Sequence, residues 1–239
     1  MNQEKSCKNH GSDNELLHQI ARYLMLHASF TNNIGLLNGK TGITIFFYHY
    51  AKYTKKRIYD DFARELIDEI YKEIHVNTPL NFKDGLCGIA WGIGYLIQNG
   101  FIKADPDEVL EDLDKRIIEW NVRHITDCSL ETGLTGIASY VISRMANRKK
   151  EHAIIHLDYI CDLIEVLKIK KEDINLVLIE KLENIANGKV SSQLWNPIFE
   201  ITDKIKYNVK KIFETRRTLG IDKAGYVGIG LHLMEINKQ

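Results

Sequence analysis

Proline is scarce in this sequence, with three residues in 239. Because proline interrupts helices, its scarcity is compatible with a chain built from long helical segments. The chain also lacks any run of roughly 18 uncharged apolar residues, the length that a membrane-spanning helix needs. The polar N-terminus, Met1 to Asp13, has no apolar centre of the kind found in a signal peptide. We therefore expect a cytoplasmic protein.

Net charge is absent too, since 32 Lys and Arg residues balance 32 Asp and Glu residues. This balance argues against a nucleic-acid-binding protein that relies on its overall charge. The four cysteines, Cys7, Cys87, Cys128 and Cys161, are scattered and form no Cys-x-x-Cys motif. Reduced thiols are therefore expected rather than disulfides.

Strand-like alternation of apolar and polar residues is rare, whereas helical periodicity is present throughout the chain. Apolar residues from Ile58 to Ile74 recur every four positions with charged residues between them, which predicts an amphipathic helix. A second amphipathic segment follows Asp105, an N-cap residue, and Pro106, a residue favoured at the first helical position. The sequence therefore predicts an all-α protein.

A short glycine motif, Gly-x-x-Gly-Ile, is repeated along the chain. The first glycines of successive copies are separated by 46, 48 and 92 residues. Because 92 is twice 46, a further copy is expected near residue 179, where the sequence has no glycine pair. A constant spacing of this size is typical of repeat architectures. The four copies are Gly39-Lys40-Thr41-Gly42-Ile43, Gly85-Leu86-Cys87-Gly88-Ile89, Gly133-Leu134-Thr135-Gly136-Ile137 and Gly225-Tyr226-Val227-Gly228-Ile229.

Each repeat predicts one helical hairpin, with an amphipathic outer helix, a loop, the glycine motif and an inner helix that is apolar on most faces. Helices of the second kind are buried on nearly all sides. We predict an α/α toroid of about five hairpins, with an open α-solenoid as the competing geometry. Residues 1–239 then form one domain, with residues 1–12 disordered. The predicted hairpins join 12–30 with 40–53, 57–75 with 86–99, 106–122 with 134–146, 150–167 with 172–186, and 196–216 with 226–237.

Two carboxylates precede the glycine motifs. Asp84 and Glu131 lie one or two residues before their glycines, at the mouth of the predicted ring. A pair of carboxylates in such a cavity suits acid/base glycoside hydrolysis, so both are candidate catalytic residues. The alternative for Asp84 is to cap an inner helix. Unpaired N–H groups at the starts of the inner helices would also favour anions at this mouth.

A metal site and an aromatic surface are further candidates. Cys87 and Cys128 lie in or just before glycine motifs, and a histidine such as His49 or His124 could complete a zinc site with them. A buried or half-buried cysteine is more often simply a small apolar residue of the core. Trp91 belongs to an aromatic cluster on the first two inner helices, which either lines a ligand cavity or packs in the core.

Three segments resemble the lanthionine synthetase C-like family: 35–43, 84–92 and 133–140. The resemblance implies an α/α toroid whose inner helices begin with Gly-x-x-Gly, and a role in modifying ribosomal peptides. Cyclases of this family add cysteine thiols to dehydroamino acids, and zinc presents the substrate thiol as a thiolate. Two cysteines and a histidine hold that zinc, in Trp-Cys-x-Gly and Cys-His-Gly motifs.

Alignment on the glycines places the first zinc-ligating cysteine at Lys83, and the Cys-His pair of the last repeat at Lys223 and Ala224. The resemblance therefore implies a peptide-binding or accessory role without a cofactor, in partnership with a precursor peptide or a peptide-modifying enzyme. An active cyclase with an atypical metal site and a carbohydrate-active α/α-barrel enzyme are the alternatives. The binding surface is expected to include Asn38, Asp84, Cys87, Trp91 and Cys128.

Overall fold

The computed structural model describes residues 7–146, 154–170, 176–189, 212–213, 217–221 and 225–236. Every secondary-structure element within these ranges is a helix. The predicted all-α class is therefore confirmed, and it is consistent with an α/α toroid. The α-helices are α1 (Cys7–Ala28), α2 (Lys40–Thr54), α3 (Arg57–Glu73), α4 (Leu86–Gln98), α5 (Pro106–Val109), α6 (Glu111–Ile118), α7 (Leu134–Ala146), α8 (Leu157–Ile169), α9 (Leu176–Ala186) and α10 (Tyr226–Ile236); a 3₁₀ helix spans Val122–His124.

The helices lie close to the predicted positions. α2, α4, α7 and α10 each begin directly after the first glycine of a motif, as predicted for inner helices. α1 begins at Cys7, inside the segment 1–12 that the sequence assigns to disorder. The outer helix predicted at 196–216 and the positions Lys223 and Ala224 lie outside the described residues, apart from 212 and 213. No helix in the described ranges combines the length and apolarity that crossing a bilayer requires.

The inner helices are buried much more completely than the outer ones. On α2 the aromatic side chains of Phe46, Phe47 and Tyr50 are fully buried. On the outer helix α3 burial is confined to a stripe of Ala63, Leu66 and Ile70. This contrast follows from the sequence, because α2 is apolar on most of its faces whereas α3 has one apolar stripe and is charged elsewhere.

The described residues fall into two compact units. One comprises residues up to Ile74 together with those from Ile198 onward, and the other comprises His75–Pro197. In the first unit α2 packs against α1, α3 and α10. The buried ammonium of Lys40, at the first position of α2, lies 2.8 Å from Glu69 and 2.5 Å from Glu73. These ion pairs fix the start of α2 to the end of α3. The single domain over residues 1–239 stays a prediction.

In the second unit α4 packs against α6 and α7, and α7 packs against α8 and α9. The helix predicted over 106–122 is divided at Leu110, although the N–H of Leu110 still donates to the carbonyl oxygen of Pro106 at 3.1 Å. Asp105 caps α5 as predicted, since its Oδ1 accepts from the N–H of Asp107 at 2.9 Å. α9 lies in the repeat that lacks a glycine motif. It packs against α8, as the predicted hairpin requires, and also against α7.

Candidate functional site at the helix-start loops

Three loops of the same backbone geometry lead into inner helices. We call residues 33–39, 79–85 and 127–133 the helix-start loops. In each, the carbonyl oxygen of the first residue accepts a hydrogen bond from the N–H that follows the glycine. The three bonds are Lys40 N to Asn33 O (2.8 Å), Leu86 N to Pro79 O (2.8 Å) and Leu134 N to Asp127 O (2.9 Å). Each loop is thereby closed onto the first turn of its helix.

The same closure explains the glycine at the end of each helix-start loop. A Cβ atom built on Gly39, Gly85 or Gly133 would lie less than 3.0 Å from the carbonyl oxygen that opens the loop. A side chain at these positions would push the loop off the helix. The closure also occupies the first N–H group of α2, α4 and α7, so these groups do not provide the anion site that the sequence favours.

An ion pair joins the second and third helix-start loops. The ammonium of Lys83 lies 2.7 Å from Oε2 of Glu131, and the backbone N–H of Lys83 donates to the carbonyl oxygen of Glu131 at 2.9 Å. Solvent reaches both side chains, of which 31% and 55% respectively are exposed. The position that the resemblance assigns to a zinc-ligating cysteine therefore holds a cation bound to a carboxylate.

The two candidate catalytic carboxylates have different surroundings. Asp84 is partly exposed, and its backbone N–H donates to Oδ1 of Asn81 at 2.7 Å. It does not cap α4, because the N-cap is Gly85 and no side chain caps that end. The general acid of a glycosidase is a carboxyl group kept protonated by apolar surroundings. Glu131 has instead an exposed position beside an ammonium.

The two cysteines of the predicted site lie in contrasting places. Cys87 is fully buried in the first turn of α4, and burial raises the pKa of its thiol. Cys128 is partly exposed in the third helix-start loop, with its Sγ 3.8 Å from the carbonyl oxygen of Thr126. Zinc ligation and nucleophilic attack both need a thiolate. The location of Cys87 therefore favours packing over chemistry.

Trp91 lies in the core of the second unit between two other aromatic rings. Its ring centroid is 5.3 Å from that of Tyr95 and 5.9 Å from that of Phe82. The indole Nε1 has no hydrogen-bond partner among the residues the structure describes. Of the two roles that the sequence leaves open for Trp91, this burial favours core packing.

Asn38 belongs to the first unit, where a similar connection between loops occurs. The backbone N–H of Ile221 donates to the carbonyl oxygen of Leu37 at 2.7 Å. Leu37 and Glu131 both stand two residues before the first glycine of a motif, so the acceptor occupies the same repeat position in both units. Asn38 follows this acceptor and is partly exposed.

The second unit therefore brings three predicted site residues onto two linked loops: Asp84, Cys128 and Glu131. Cys87 and Trp91 lie in the core beneath them. The sequence does not predict the Lys83–Glu131 pair, although opposite charges at the same position of successive repeats are a usable signal. The bond that closes the loop spans seven residues before α2, α4 and α7, and eight before α10, where the N–H of Tyr226 donates to the carbonyl oxygen of Thr218 at 3.1 Å.

Comparison with known families agrees with this repeated geometry. A family model described as lanthionine synthetase C-like protein matches residues 31–191, which is more than half of the chain and includes all three helix-start loops. The chain belongs to the lanthionine synthetase C-like family. A comparison with curated proteins gives no significant match.

The side chains of this lanthionine synthetase C-like protein do not fit a zinc ion at the place of the first cysteine ligand. The ammonium of Lys83 has three hydrogen-bond donors, a positive charge and no lone pair to offer a metal. Structural and catalytic zinc sites take Cys, His, Asp or Glu ligands. Among the described residues, no three or more such side chains are grouped so that they could hold a metal ion.

Proposed function

We propose that this lanthionine synthetase C-like protein binds a precursor peptide, or an enzyme that modifies it, in the cytoplasm and without a zinc-activated thiol. The observation that carries the proposal is the ion pair between Lys83 and Glu131. It fills the first cysteine position of the zinc motif with a group that repels a divalent cation. The loops can still serve as a recognition surface, because their shape depends on hydrogen bonds within the chain.

The second and third helix-start loops have two properties that favour peptide binding. Their backbones are held by the helix closure and by the bond from Lys83 N–H to Glu131, so little ordering is required when a ligand binds. They also present polar side chains of both charge signs at partly or fully exposed positions, namely Lys83, Asp84 and Glu131. Such groups can bond to backbone amides and to charged side chains of an extended peptide.

The zinc part of the proposal is tested with the purified full chain. The protein is incubated with zinc, dialysed against metal-free buffer and analysed for bound metal by atomic emission. A peptide that contains dehydroalanine is then mixed with glutathione and the protein, and free thiol is followed over time. We expect no zinc-dependent loss of thiol. Stoichiometric zinc together with zinc-dependent thiol addition would support the active cyclase instead.

The binding part is tested by selection from a random library of displayed peptides. Peptides selected on the wild-type chain are measured against a charge-swapped variant, Lys83→Glu with Glu131→Lys, which keeps an ion pair but reverses its polarity. We expect the swapped variant to melt at the wild-type temperature and to bind these peptides much more weakly. If the swapped variant binds these peptides as tightly as the wild type, the second and third helix-start loops are not part of the recognition surface. Lys72→Met, on the exposed face of α3, is the control.

A further inference from the structure

A groove lies at the opposite end of α4 from the helix-start loops. α4 has 13 residues, so its two ends are separated by about 20 Å at 1.5 Å per residue. The groove has a volume of about 380 Å³, and its apolar wall includes Ile97, Ile102, Ala104 and Pro106. Gly94 and Lys103 also line it. This volume is near the lower end of the range for small-molecule sites.

The walls of the groove are fixed by backbone hydrogen bonds. After α4 the chain reverses at Gly100, whose φ of +72° is a conformation that favours glycine. The N–H of Gly100 donates to the carbonyl oxygen of Ile97 at 3.0 Å, and the N–H of Ile102 donates to that of Leu96 at 3.3 Å. On the far side, the Asp105 cap fixes the start of α5. The groove is therefore a formed feature of the second unit.

Gly94 leaves space in the wall of the groove. Glycine destabilises the interior of a helix, so it needs a compensating reason. Gly42, Gly136 and Gly230 have one, because a Cβ on each would lie less than 3.0 Å from another atom. A Cβ on Gly94 would meet only Cδ1 of Leu110, at an ordinary contact distance of 3.6 Å. Packing does not require a glycine here, and the missing side chain leaves room in the groove.

Lys103 provides the only charged group on the described lining. It is exposed at the rim, and none of the described carboxylates forms an ion pair with it. An apolar wall beside a single ammonium is complementary to a molecule with an apolar body and one negative charge. We infer that this groove binds a small carboxylate with an aliphatic body, whose chain lies against Ile97, Ile102 and Pro106 while its carboxylate pairs with Lys103. This site is separate from the loops of the proposed function.

The inference is tested with octanoate as the probe and isotope-labelled full-length protein. Titration is followed by the backbone amide NMR signals, with octanol as the neutral analogue of the same chain length. We expect octanoate to shift the signals of Gly94, Gly100 and Ile102, and to bind about two- to fivefold more tightly than octanol, as an exposed ion pair allows. Equal binding of both molecules, or shifts confined to other residues, would overturn the assignment.

Two variants separate the contributions of wall and charge. Gly94→Leu places a side chain in the groove and should abolish binding of both probes, while its circular dichroism and melting curve show whether it is folded. Lys103→Met should reduce octanoate binding to the level of octanol, and Lys72→Met is the matched control that should change nothing. Octanoate binding that survives Gly94→Leu or Lys103→Met unchanged would contradict the proposal. A pentapeptide with a C-terminal leucine that binds more tightly than octanoate would also contradict it, by making the ligand a peptide end.

Discussion

Arg144 and Asp114 form an ion pair inside the second unit, where Nε of Arg144 donates to Oδ2 of Asp114 at 2.8 Å and 7% and 1% of the side chains are exposed. Arg144 also donates from Nη1 to Oδ1 of Asp107 at 2.8 Å, and the hydroxyl of Tyr140 donates to Asp114. The cluster fastens α5 and α6 to α7, the inner helix that follows the third helix-start loop. It therefore holds three helices of the second unit together.

Removing the cation from this cluster should destabilise the protein strongly. Arg144→Met leaves the carboxylate of Asp114 buried without its ion-pair partner, and we expect a loss of about 3 to 5 kcal/mol in the free energy of unfolding. Urea denaturation followed by circular dichroism measures this loss. The control is Lys115→Met, which breaks an exposed pair with Glu111 and should barely move the urea midpoint.

The same cluster offers a test of whether the missing charge is the cause. A triple variant with Arg144→Met, Asp114→Leu and Tyr140→Phe removes the buried carboxylate together with two of the groups that bond to it. Replacing a buried ionic cluster by apolar side chains of similar volume is often neutral. The triple variant should therefore be more stable than Arg144→Met alone. If the triple variant is less stable than Arg144→Met, then lost packing, rather than an uncompensated charge, explains the instability of Arg144→Met.

The loss in the free energy of unfolding caused by Arg144→Met should depend on pH. Burial raises the pKa of Asp114 above its ordinary value, against the opposing effect of the Arg144 charge. A raised pKa means that the folded state binds the proton more tightly, so the contribution of Asp114 to stability is present at low pH and declines as the pH rises. Loss of Arg144 removes the opposing effect and strengthens this trend. We expect a smaller penalty at about pH 4.5 than at about pH 7.5, and urea midpoints that show the reverse would contradict it.

Gly85, the N-cap of α4, and Gly94, in its interior, should respond in opposite ways to the same substitution. Gly85→Ala sets a Cβ against the backbone oxygen of Pro79, which cannot move without opening the helix-start loop, so a loss of about 1 to 3 kcal/mol is expected. Gly94→Ala makes only ordinary contacts and removes a glycine from a helix interior, so a gain of up to about 1 kcal/mol is expected. Chemical denaturation of both variants measures the change in the free energy of unfolding. If both variants gain or both lose stability, the local contacts are misassigned.

The fold could be predicted from the sequence because its main determinant is local. The glycine that ends each of the three helix-start loops is required by a carbonyl oxygen only six residues earlier, so the requirement recurs wherever this loop recurs. The cap at Asp105 is local in the same way. The predicted starts of α2, α4 and α7 follow directly from these short-range contacts.

The site could be predicted only in part, because its contacts join distant parts of the chain. Lys83 and Glu131 are both visible in the sequence, yet their pairing depends on how closely two loops approach each other. Arg144 lies in an apolar inner helix, and only the structure shows the carboxylates of Asp107 and Asp114 that compensate its burial. Cys87 carries no sequence signal that separates a core thiol from a thiol at the surface.

Cysteine accessibility provides a direct test of the candidate site. In a Cys7→Ser background, native protein is treated with iodoacetamide and digested, and modification is measured by mass spectrometry. We expect the exposed Cys161 and the partly exposed Cys128 to react, while Cys87 stays unmodified because it is buried and burial raises the pKa of its thiol. Raising the pH should not expose Cys87, whereas denaturation in urea should. Rapid modification of Cys87 in the native protein would place a reactive thiol at the helix-start loops, and would favour the cyclase with an atypical metal site over the binding role proposed here.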